Sequence, residues 1–351
     1  MTRITVVGGG AVGTAIAWRA AASGARVTVV DPIAREQASW VAGGMLAPVT
    51  EAWPGDEDLL ELGSESLARW PEFAATLAAG GHDPGLHTEG TVVAAVDYAD
   101  SDELTRLAKF LGKLGRDVKA LSGRQLRALE PSLGPAVRSG LSVPGDLSVD
   151  NRRLVGALLA ASQSYGVERL NATVKSLTPG EVTLAHGPVL TADVIVIAAG
   201  SWSAGLHPAL EGVVRPLKGE ILRLRRRIGL MSPPSRTVRG VVEGRHVYLV
   251  PRGNDGVVVG ATQYEAGHEP GALVGGVRDL LDDAVRLVPA LADYVLSEVG
   301  FGFRPATKDN LPVVRWLEPG VLAATGHGRN GLLLLPGTLA EVARLLAEGS
   351  A

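Results

Sequence analysis

The chain has 351 residues and a formal net charge of -3, with 46% hydrophobic and 20% charged residues. This composition is typical of globular proteins and excludes disordered and fibrous classes, and the charge gives no electrostatic reason to bind nucleic acid or an anionic membrane. The length exceeds that at which one hydrophobic core usually stops growing, so two domains are predicted.

The chain contains no cysteine. Disulfides, thiolate catalysis, cysteine-rich metal sites and attachment of a cofactor to cysteine are therefore excluded, and we predict no metal site. The N-terminus leads directly into a strand-like segment without the pattern of a signal peptide, and no apolar stretch is long enough to cross a bilayer. These features predict a cytoplasmic protein that binds neither membrane nor nucleic acid.

The first predicted elements are a strand, a glycine-rich turn, a helix and a second strand. Apolar residues 4–7 precede Gly8, Gly10 and Gly13, which have the G-x-G-x-x-G spacing, and the second strand leads to Asp31. In this pattern the first glycine makes the turn, the second lets the backbone approach a pyrophosphate, and the third allows close packing. A carboxylate about 20 residues further on accepts hydrogen bonds from ribose hydroxyls. The pattern predicts dinucleotide binding but does not distinguish FAD from NAD.

The later elements indicate a second kind of sheet. Residues 194–199 and 321–324 are uniformly apolar and lead to glycines, which favours parallel strands covered on both faces. The segments VYLVPR, GVVVGAT and VGFGFRP alternate or carry β-forming residues, as in an antiparallel sheet with one open face. Amphipathic helices are predicted over 101–114 and 272–288, and the basic run 223–227 is interpreted as exposed surface.

The predicted fold class is therefore α/β with two domains. A Rossmann-type doubly wound domain is expected from residues 1–78, 146–215 and 301–351. An α+β domain on a mixed or antiparallel sheet, inserted into it, is expected from residues 79–145 and 216–300 and would bind the substrate.

Four ordered segments carry a resemblance to a known family: GGML from Gly43, AAGSWS from Ala198, PLKGE from Pro216 and GHGRNG from Gly326. With them the sequence resembles, essentially from end to end, the D-amino acid oxidase superfamily of flavoproteins, and within it the glycine oxidases of thiamine biosynthesis. The resemblance implies FAD, held non-covalently because there is no cysteine to attach it. It also implies oxygen as electron acceptor, a hand-off of product to thiazole synthase, and a homotetramer.

The resemblance further implies which residues bind FAD. Ser39 and residues 43–45 would pass beside the flavin, Val174 would contact the adenine side through its backbone, and the loop 327–333 would close over the isoalloxazine ring. The helix after this loop would direct its positive end to the flavin and stabilise the reduced anion. With the glycine-rich turn, the predicted FAD-binding residues are Gly8, Gly10, Ala11, Val12, Gly13, Asp31, Ser39, Gly43, Gly44, Met45, Val174, Gly200, His327, Gly328, Arg329, Asn330, Gly331, Leu332 and Leu333.

Arg304 is the candidate for binding a substrate carboxylate. It lies among apolar neighbours in GFGFRPATKDNLP, and a guanidinium can hold a carboxylate through two parallel hydrogen bonds. The resemblance makes it the carboxylate clamp, and the alternative is a structural ion pair. The resemblance also implies that Tyr248 bonds the substrate carboxylate, although a buried tyrosine often bonds a backbone group instead, and that Arg329 makes a second substrate contact.

His246, Met45 and Gln263 complete the predicted substrate pocket. His246 precedes Tyr248 by two residues, so both side chains are expected on the same face of a strand. Gln263 stands where the glycine oxidases carry a methionine, and Ala47 where they carry a glycine. These departures leave the substrate preference open.

The predicted reaction is oxidative deamination of glycine, or of small amines such as sarcosine and D-amino acids. Hydride would pass from the α-carbon to flavin N5 without a catalytic base, giving an imine that hydrolyses to glyoxylate and ammonia, and hydrogen peroxide from oxygen. The alternatives are an oxidase or dehydrogenase of another D-amino acid, an N-methyl amino acid or a 2-hydroxy acid. A 2-hydroxy acid would need a base for its alcohol proton, and His246 or His327 would be that base. A NAD-dependent enzyme and a flavin-binding protein without turnover are the rivals from other classes.

Overall fold

The structure is a computed structural model that describes residues 1–32 and 37–349. The helices are α1 (Ala11–Ala22), α2 (Ala38–Val41), α3 (Glu57–Ala79), α4 (Tyr98–Lys113), α5 (Gly123–Leu129), α6 (Asn151–Ser164), α7 (Val274–Leu287) and α8 (Leu335–Glu348). The strands are β1 (Arg3–Val7), β2 (Arg26–Val30), β3 (Met45–Leu46), β4 (Leu86–His87), β5 (Thr91–Ala95), β6 (Lys119–Ser122), β7 (Ser139–Val143), β8 (Leu147–Val149), β9 (Glu168–Leu170), β10 (Val174–Thr178), β11 (Glu181–Leu184), β12 (Val189–Thr191), β13 (Val194–Ile197), β14 (Arg215–Arg225), β15 (Thr237–Val242), β16 (Arg245–Arg252), β17 (Gly256–Gly260), β18 (Val295–Ala306), β19 (Val313–Glu318) and β20 (Val321–Thr325).

A six-stranded sheet forms one half of the molecule, in the order β19-β20-β13-β1-β2-β9. All its pairs are parallel except that of β19 with β20. Val6, Val29 and Val196 in the inner strands are fully buried, because helices α1, α6 and α8 pack together against this sheet. The predicted doubly wound α/β fold is thereby confirmed, and the uniformly apolar runs are its inner strands.

An eight-stranded sheet forms the other half, in the order β18-β14-β17-β16-β15-β5-β7-β6. Its pairs are antiparallel apart from β15 with β5. Helix α7 packs on β14, β16 and β17, and α4 packs on β5 and β7. These two helices lie where the sequence predicts them, and α4 begins three residues early because the Asp97 side chain accepts a hydrogen bond from the Asp100 amide at 2.8 Å.

Two details add to the sequence prediction. Strand β18 continues through residue 306 and so crosses residue 300, where a domain boundary is predicted, and Arg304 pairs with Leu217 of β14. The division into domains stays a prediction. The basic run 223–227 is exposed only in part. Arg225 and Arg227 are exposed, whereas Arg223 is partly buried because its guanidinium donates to the buried Oδ1 of Asn151 at 3.1 Å.

Two three-stranded sheets complete the fold, with the orders β10-β11-β12 and β3-β8-β4. The second is important for the site because pairing of β3 with β8 fixes Met45 opposite Ser148. Within residues 1–32 and 37–349, no helix combines the length and the apolar character needed to span a bilayer.

Candidate active site

A cavity of about 820 Å³ lies between the carboxyl ends of the parallel strands and one face of the eight-stranded sheet. Carboxyl ends of strands are the usual ligand site in doubly wound folds. The predicted site residues that line it are Gly8, Gly10, Ala11, Val12, Asp31, Ser39, Gly43, Gly44, Met45, Val174, Gly200, His246, Tyr248, Gln263, Arg304, His327, Gly328, Arg329, Gly331 and Leu332. Gly13, Asn330 and Leu333 lie behind this lining.

The glycine-rich turn shows why its three glycines differ. Gly8 has a φ of +108°, and a Cβ on it would lie 2.4 Å from the carbonyl oxygen of Ala198. A Cβ on Gly13 would lie 1.9 Å from the Gly8 oxygen. A Cβ on Gly10 would meet only the Ser39 hydroxyl, at 3.4 Å. The fold itself therefore requires Gly8 and Gly13, whereas Gly10 leaves open space in front of the N-terminus of α1.

Polar groups are in place around this turn. The Ala11 amide at the first turn of α1 donates to the Ser39 hydroxyl at 3.0 Å. The buried Asp31 carboxylate, directly after β2, accepts hydrogen bonds from the Gly9 amide and, at 2.9 Å, from the Gln37 side chain. A cavity-lining carboxylate at this position is suited to bind ribose hydroxyls.

The loop 327–333 closes the opposite end of the cavity. His327 is buried, its Nε2 lies 2.9 Å from the Thr338 hydroxyl, and burial lowers the pKa of His327 to about 4. The Leu333 carbonyl accepts hydrogen bonds from the Ser66 hydroxyl at 2.8 Å and the Trp70 indole at 3.0 Å. The hydrogen bond of the neutral His327 and the two hydrogen bonds from α3 to Leu333 thus hold the loop in position.

Tyr248 of β16 extends over the cavity face between two glycines. A Cβ on Gly43 would lie 2.5 Å from its ring, and a Cβ on Gly260 would lie 2.4 Å from it. Burial raises the pKa of Tyr248 to about 12, although the positive charge of Arg304 acts in the opposite direction. The hydroxyl therefore stays protonated at neutral pH, and it makes no hydrogen bond with any residue that the structure describes.

Arg304 reaches from β18 across Gly219 of β14, where a Cβ would lie 2.1 Å from its Nη1 atom. Nη1 donates to the Thr262 carbonyl at 3.1 Å, and no described carboxylate forms an ion pair with this guanidinium. The structural ion pair considered as the alternative is thus not seen among residues 1–32 and 37–349. The remaining N–H groups stay available to a ligand in the cavity.

Comparison with known proteins decides the family. Residues 3–347 match the family described as FAD dependent oxidoreductases. The chain belongs to this family. This confirms the resemblance in the sequence, and it identifies the protein as an FAD-dependent oxidoreductase.

Individual relatives of this oxidoreductase cover the whole chain. It is 35% identical over 356 residues to a bifunctional protein ThiO/ThiG of Nostoc sp., covering 99% of this chain and 53% of that protein. It is 32% identical to a glycine oxidase of Geobacillus kaustophilus, covering 98% of this chain and 92% of the relative. The crystal structure of a glycine oxidase from Bacillus cereus matches with a TM-score of 0.88 and 26% identity, over 99% of this chain and 98% of that one. The chain thus spans about half the length of the ThiO/ThiG relatives.

The residues of the cavity fit FAD. The open side of Gly10 and the Asp31 carboxylate would suit the pyrophosphate and the ribose of such a cofactor, and Val174 lines the same cavity. Gly43 and Gly44 lie beside Tyr248 and Arg252, and the loop from His327 lies at the other end. A long cofactor with the adenine near β2 and the flavin near this loop matches the lining. No group of three metal-ligating side chains occurs in the described part of the oxidoreductase.

Arg329 lies on the cavity but is already engaged. Its Nη2 donates to the Glu51 carbonyl at 3.0 Å and to the Asp56 carboxylate at 3.2 Å. These bonds tie the flavin-side loop to the start of α3, which makes Arg329 a less available substrate contact than Arg304. Its role at the substrate stays a prediction.

His246 and Gln263, the other predicted substrate-pocket residues, both line the cavity. His246 lies on the same face as Tyr248, as expected, with its ring edge-on to Trp53 at 5.4 Å between centroids. Burial lowers the pKa of His246, and the positive charge of Arg239 lowers it further. The Glu103 carboxylate, whose Oε1 lies 3.5 Å from His246 Nε2, acts in the opposite direction. A neutral imidazole is therefore present on the cavity at neutral pH, and this is the base that a 2-hydroxy acid would need.

Several cavity residues were missed by the sequence analysis. They are Gly219 and Gly260, over which Arg304 and Tyr248 lie, and the lining residues Glu51, Trp53 and Arg239. A signal existed for the glycines, since glycine inside a strand often marks the close approach of another group. No local signal marks Glu51 or Trp53, which lie in the connection between β3 and α3, because tertiary packing rather than a sequence motif brings them to the cavity.

Replacing Gly219 with alanine is expected to lower kcat/KM for the substrate on the order of 10²-fold, because the new methyl group displaces the Arg304 guanidinium. The displaced atoms are the end of a flexible side chain, so the free energy of unfolding should change little. Steady-state kinetics and thermal denaturation measure both. Gly145→Ala, which adds a methyl group in open space, is the control, and unaltered kinetics of Gly219→Ala would contradict this geometry.

Asp146 is a fully buried carboxyl below the Thr50–Glu51 turn at the cavity wall. The Thr50 hydroxyl donates to it at 2.7 Å, and burial raises its pKa from 3.8 to about 7. Between those pH values the folded state keeps a proton that the unfolded state has lost, so the carboxyl makes folding less favourable as pH rises.

Asp146→Asn is expected to remove this pH dependence. Between pH 5 and pH 7 the unfolding free energy of the variant should rise relative to the original protein by roughly 2 kcal/mol. Urea denaturation of both proteins at several pH values measures the difference. A constant difference across this range would show that Asp146 is ionised throughout.

Proposed function

We propose that this oxidoreductase oxidises glycine and related small amines, such as sarcosine and D-amino acids, to the imine. The observation that carries the proposal is the pair formed by Arg304 and Tyr248. Within the described residues, this guanidinium has no ion pair and this protonated hydroxyl has no hydrogen-bond partner, and both face one cavity. Together they form a site for a carboxylate, and every amino acid carries one.

The residues of the chain act by positioning. Arg304 would hold the carboxylate in its plane through two N–H groups, and Tyr248 would donate a third hydrogen bond, which fixes the α-carbon relative to the cofactor. FAD, when bound, would supply the acceptor for the hydride of the α-carbon, with oxygen as the final oxidant and hydrogen peroxide as its product. A neutral amine needs no base for this step. His327, with its lowered pKa and its bond to Thr338, is suited to stay neutral beside the cofactor.

The product and partners belong to the same proposal. The imine would hydrolyse to glyoxylate and ammonia, or pass to thiazole synthase for thiamine biosynthesis. Relatives named bifunctional ThiO/ThiG proteins support a hand-off to a second protein. The sequence supports a cytoplasmic location, and the resemblance to glycine oxidases supports a homotetramer.

Anaerobic mixing of the FAD-loaded protein with substrates tests the proposal. Glycine, sarcosine, D-alanine, D-proline and glycolate are compared by the rate at which the visible flavin absorbance is lost. Fastest loss with glycine supports the assignment. Loss only with a bulkier amine keeps the amine oxidase and changes its substrate, and loss with glycolate alone, or with none of them, contradicts it.

A further inference from the structure

Arg239 is a second arginine on the cavity face that carries Tyr248. It lies on β15 directly opposite Tyr248 of β16 and lines the same cavity. Residues directly opposite in a sheet project to the same side. Its side chain is only 12% exposed, so its charge is directed to the cavity wall rather than to bulk water.

The donors of Arg239 have no acceptor within the described residues. A guanidinium offers five N–H groups, yet none of them makes a hydrogen bond with residues 1–32 or 37–349, and Nη1 is fully enclosed without a hydrogen-bond partner among them. The Glu51 carboxylate lies 3.4 Å from Nη1 but forms no hydrogen bond with it. Leaving buried donors unpaired costs free energy that an acceptor on a ligand would recover.

The neighbouring carboxylates neutralise the positive charge of Arg239 only in part. Glu51 is shared with Arg329, whose Nε lies 4.0 Å from it, and Arg329 itself is paired with Asp56 at 3.2 Å. Asp146 also acts on this guanidinium, but burial raises the pKa of Asp146 to about 7, so near neutral pH it is partly uncharged. A ligand carboxylate can therefore supply both the missing charge and the missing acceptors.

Arg239 and Arg304 lie over different strands of the eight-stranded sheet. Tyr248 pairs with Gly260, and Gly260 with Ile221 of β14, so β15 and β14 are three strand spacings apart. This is about 14 Å between strand backbones. The guanidinium of Arg304 lies over Gly219 on β14. This spacing is measured between backbones, and both arginine side chains extend from them over the cavity. A glycine held by its one carboxylate at Arg304 has no second carboxylate for Arg239, whereas an amino acid with two carboxylates does.

We propose that Arg239 binds a second carboxylate and that the preferred substrates are small amino acids with two carboxylates, such as N-carboxyalkyl glycines or acidic D-amino acids. The inference rests on the proposed function, because Arg304 holds the carboxylate next to the reacting carbon. Arg239 then holds the distant one. It is a specificity-determining residue without a part in the oxidation itself.

Binding of unreactive acids tests Arg239 without turnover. Succinate, glutarate and adipate are titrated into the FAD-loaded protein against butyrate, valerate and hexanoate, with the flavin spectrum and the shift in Tm as readouts. At least one dicarboxylate is expected to bind about tenfold or more tightly than the monocarboxylate nearest in length. In Arg239→Met this ratio should fall close to one. Arg239→Gln is the second variant if the first does not fold, and Arg227→Met, at an exposed residue, controls for net charge.

Turnover gives the second arm of the test. The ratio of kcat/KM for D-glutamate over D-glutamine, and for N-carboxymethylglycine over sarcosine, should fall in Arg239→Met and not in Arg227→Met. Equal affinity for the two acid series, or a ratio unaffected by Arg239→Met, overturns the proposal. A higher kcat/KM for D-lysine than for D-glutamate also overturns it, because the distant end of the substrate would then bind to the Glu51 carboxylate rather than to Arg239.

The two proposals fail separately. Reduction of the flavin by glycine without any preference for dicarboxylates counts against Arg239 alone. Tight dicarboxylate binding that depends on Arg239, without flavin reduction by any amine, supports the second anion site and counts against amine oxidation.

Discussion

Replacing Arg304 with alanine is expected to lower kcat/KM for glycine by about 10²- to 10³-fold, mainly through KM, while FAD stays bound. The guanidinium has no carboxylate partner in the described structure and makes one hydrogen bond, to Thr262. Its removal would leave the substrate carboxylate facing the cavity without its charge-assisted bonds, and truncating one member of such a pair costs about 2–5 kcal/mol. The residues predicted to bind FAD do not include Arg304, so the cofactor is expected to remain bound.

Steady-state kinetics with glycine and the absorbance ratio of flavin to protein test this prediction. Arg304→Lys is the matched variant, since it keeps the charge and loses the planar pair of donors. We expect a smaller loss for lysine than for alanine. If alanine leaves KM unaltered, the substrate carboxylate is bound elsewhere.

The second large effect is expected from Gly10→Val, which should give folded protein without flavin. A side chain on Gly10 would occupy the open space before the N-terminus of α1, where the backbone must approach the pyrophosphate. The protein itself offers little resistance, because a Cβ at Gly10 would meet only the Ser39 hydroxyl at 3.4 Å. Binding of FAD should therefore be lost while the secondary structure is kept.

Gly13→Ala is the informative comparison for Gly10→Val. Its Cβ would lie 1.9 Å from the Gly8 carbonyl oxygen, so we expect it to destabilise the fold, with a lower Tm even in the absence of cofactor. Reconstitution with FAD, visible absorbance and circular dichroism separate the two effects. Full flavin content in Gly10→Val would mean that the pyrophosphate does not approach this turn.

Local sequence was enough to predict the cofactor half of the molecule. Gly8, Gly10, Gly13 and Asp31 act within one strand-turn-helix-strand unit, whose geometry follows from chain connectivity and from the φ that glycine permits. The apolar runs ending before Gly200 and Gly326 likewise indicated buried parallel strands, because such strands lose their alternation when both faces are covered. FAD itself was indicated by four ordered motifs together rather than by the turn alone.

Tertiary structure alone decided the substrate half. Strand order in the eight-stranded sheet places Arg239 opposite Tyr248. Packing of the segment before β3 against this sheet brings Gly43 to the Tyr248 ring. It also extends β18 past the predicted domain boundary, and the start of α3 pairs with Arg329. Sequence spacing does not encode such contacts, because antiparallel strands with long connections can pair in several orders. The sequence by itself determined the family and its cofactor, and tertiary packing decided which charged groups face the cavity and which are already paired.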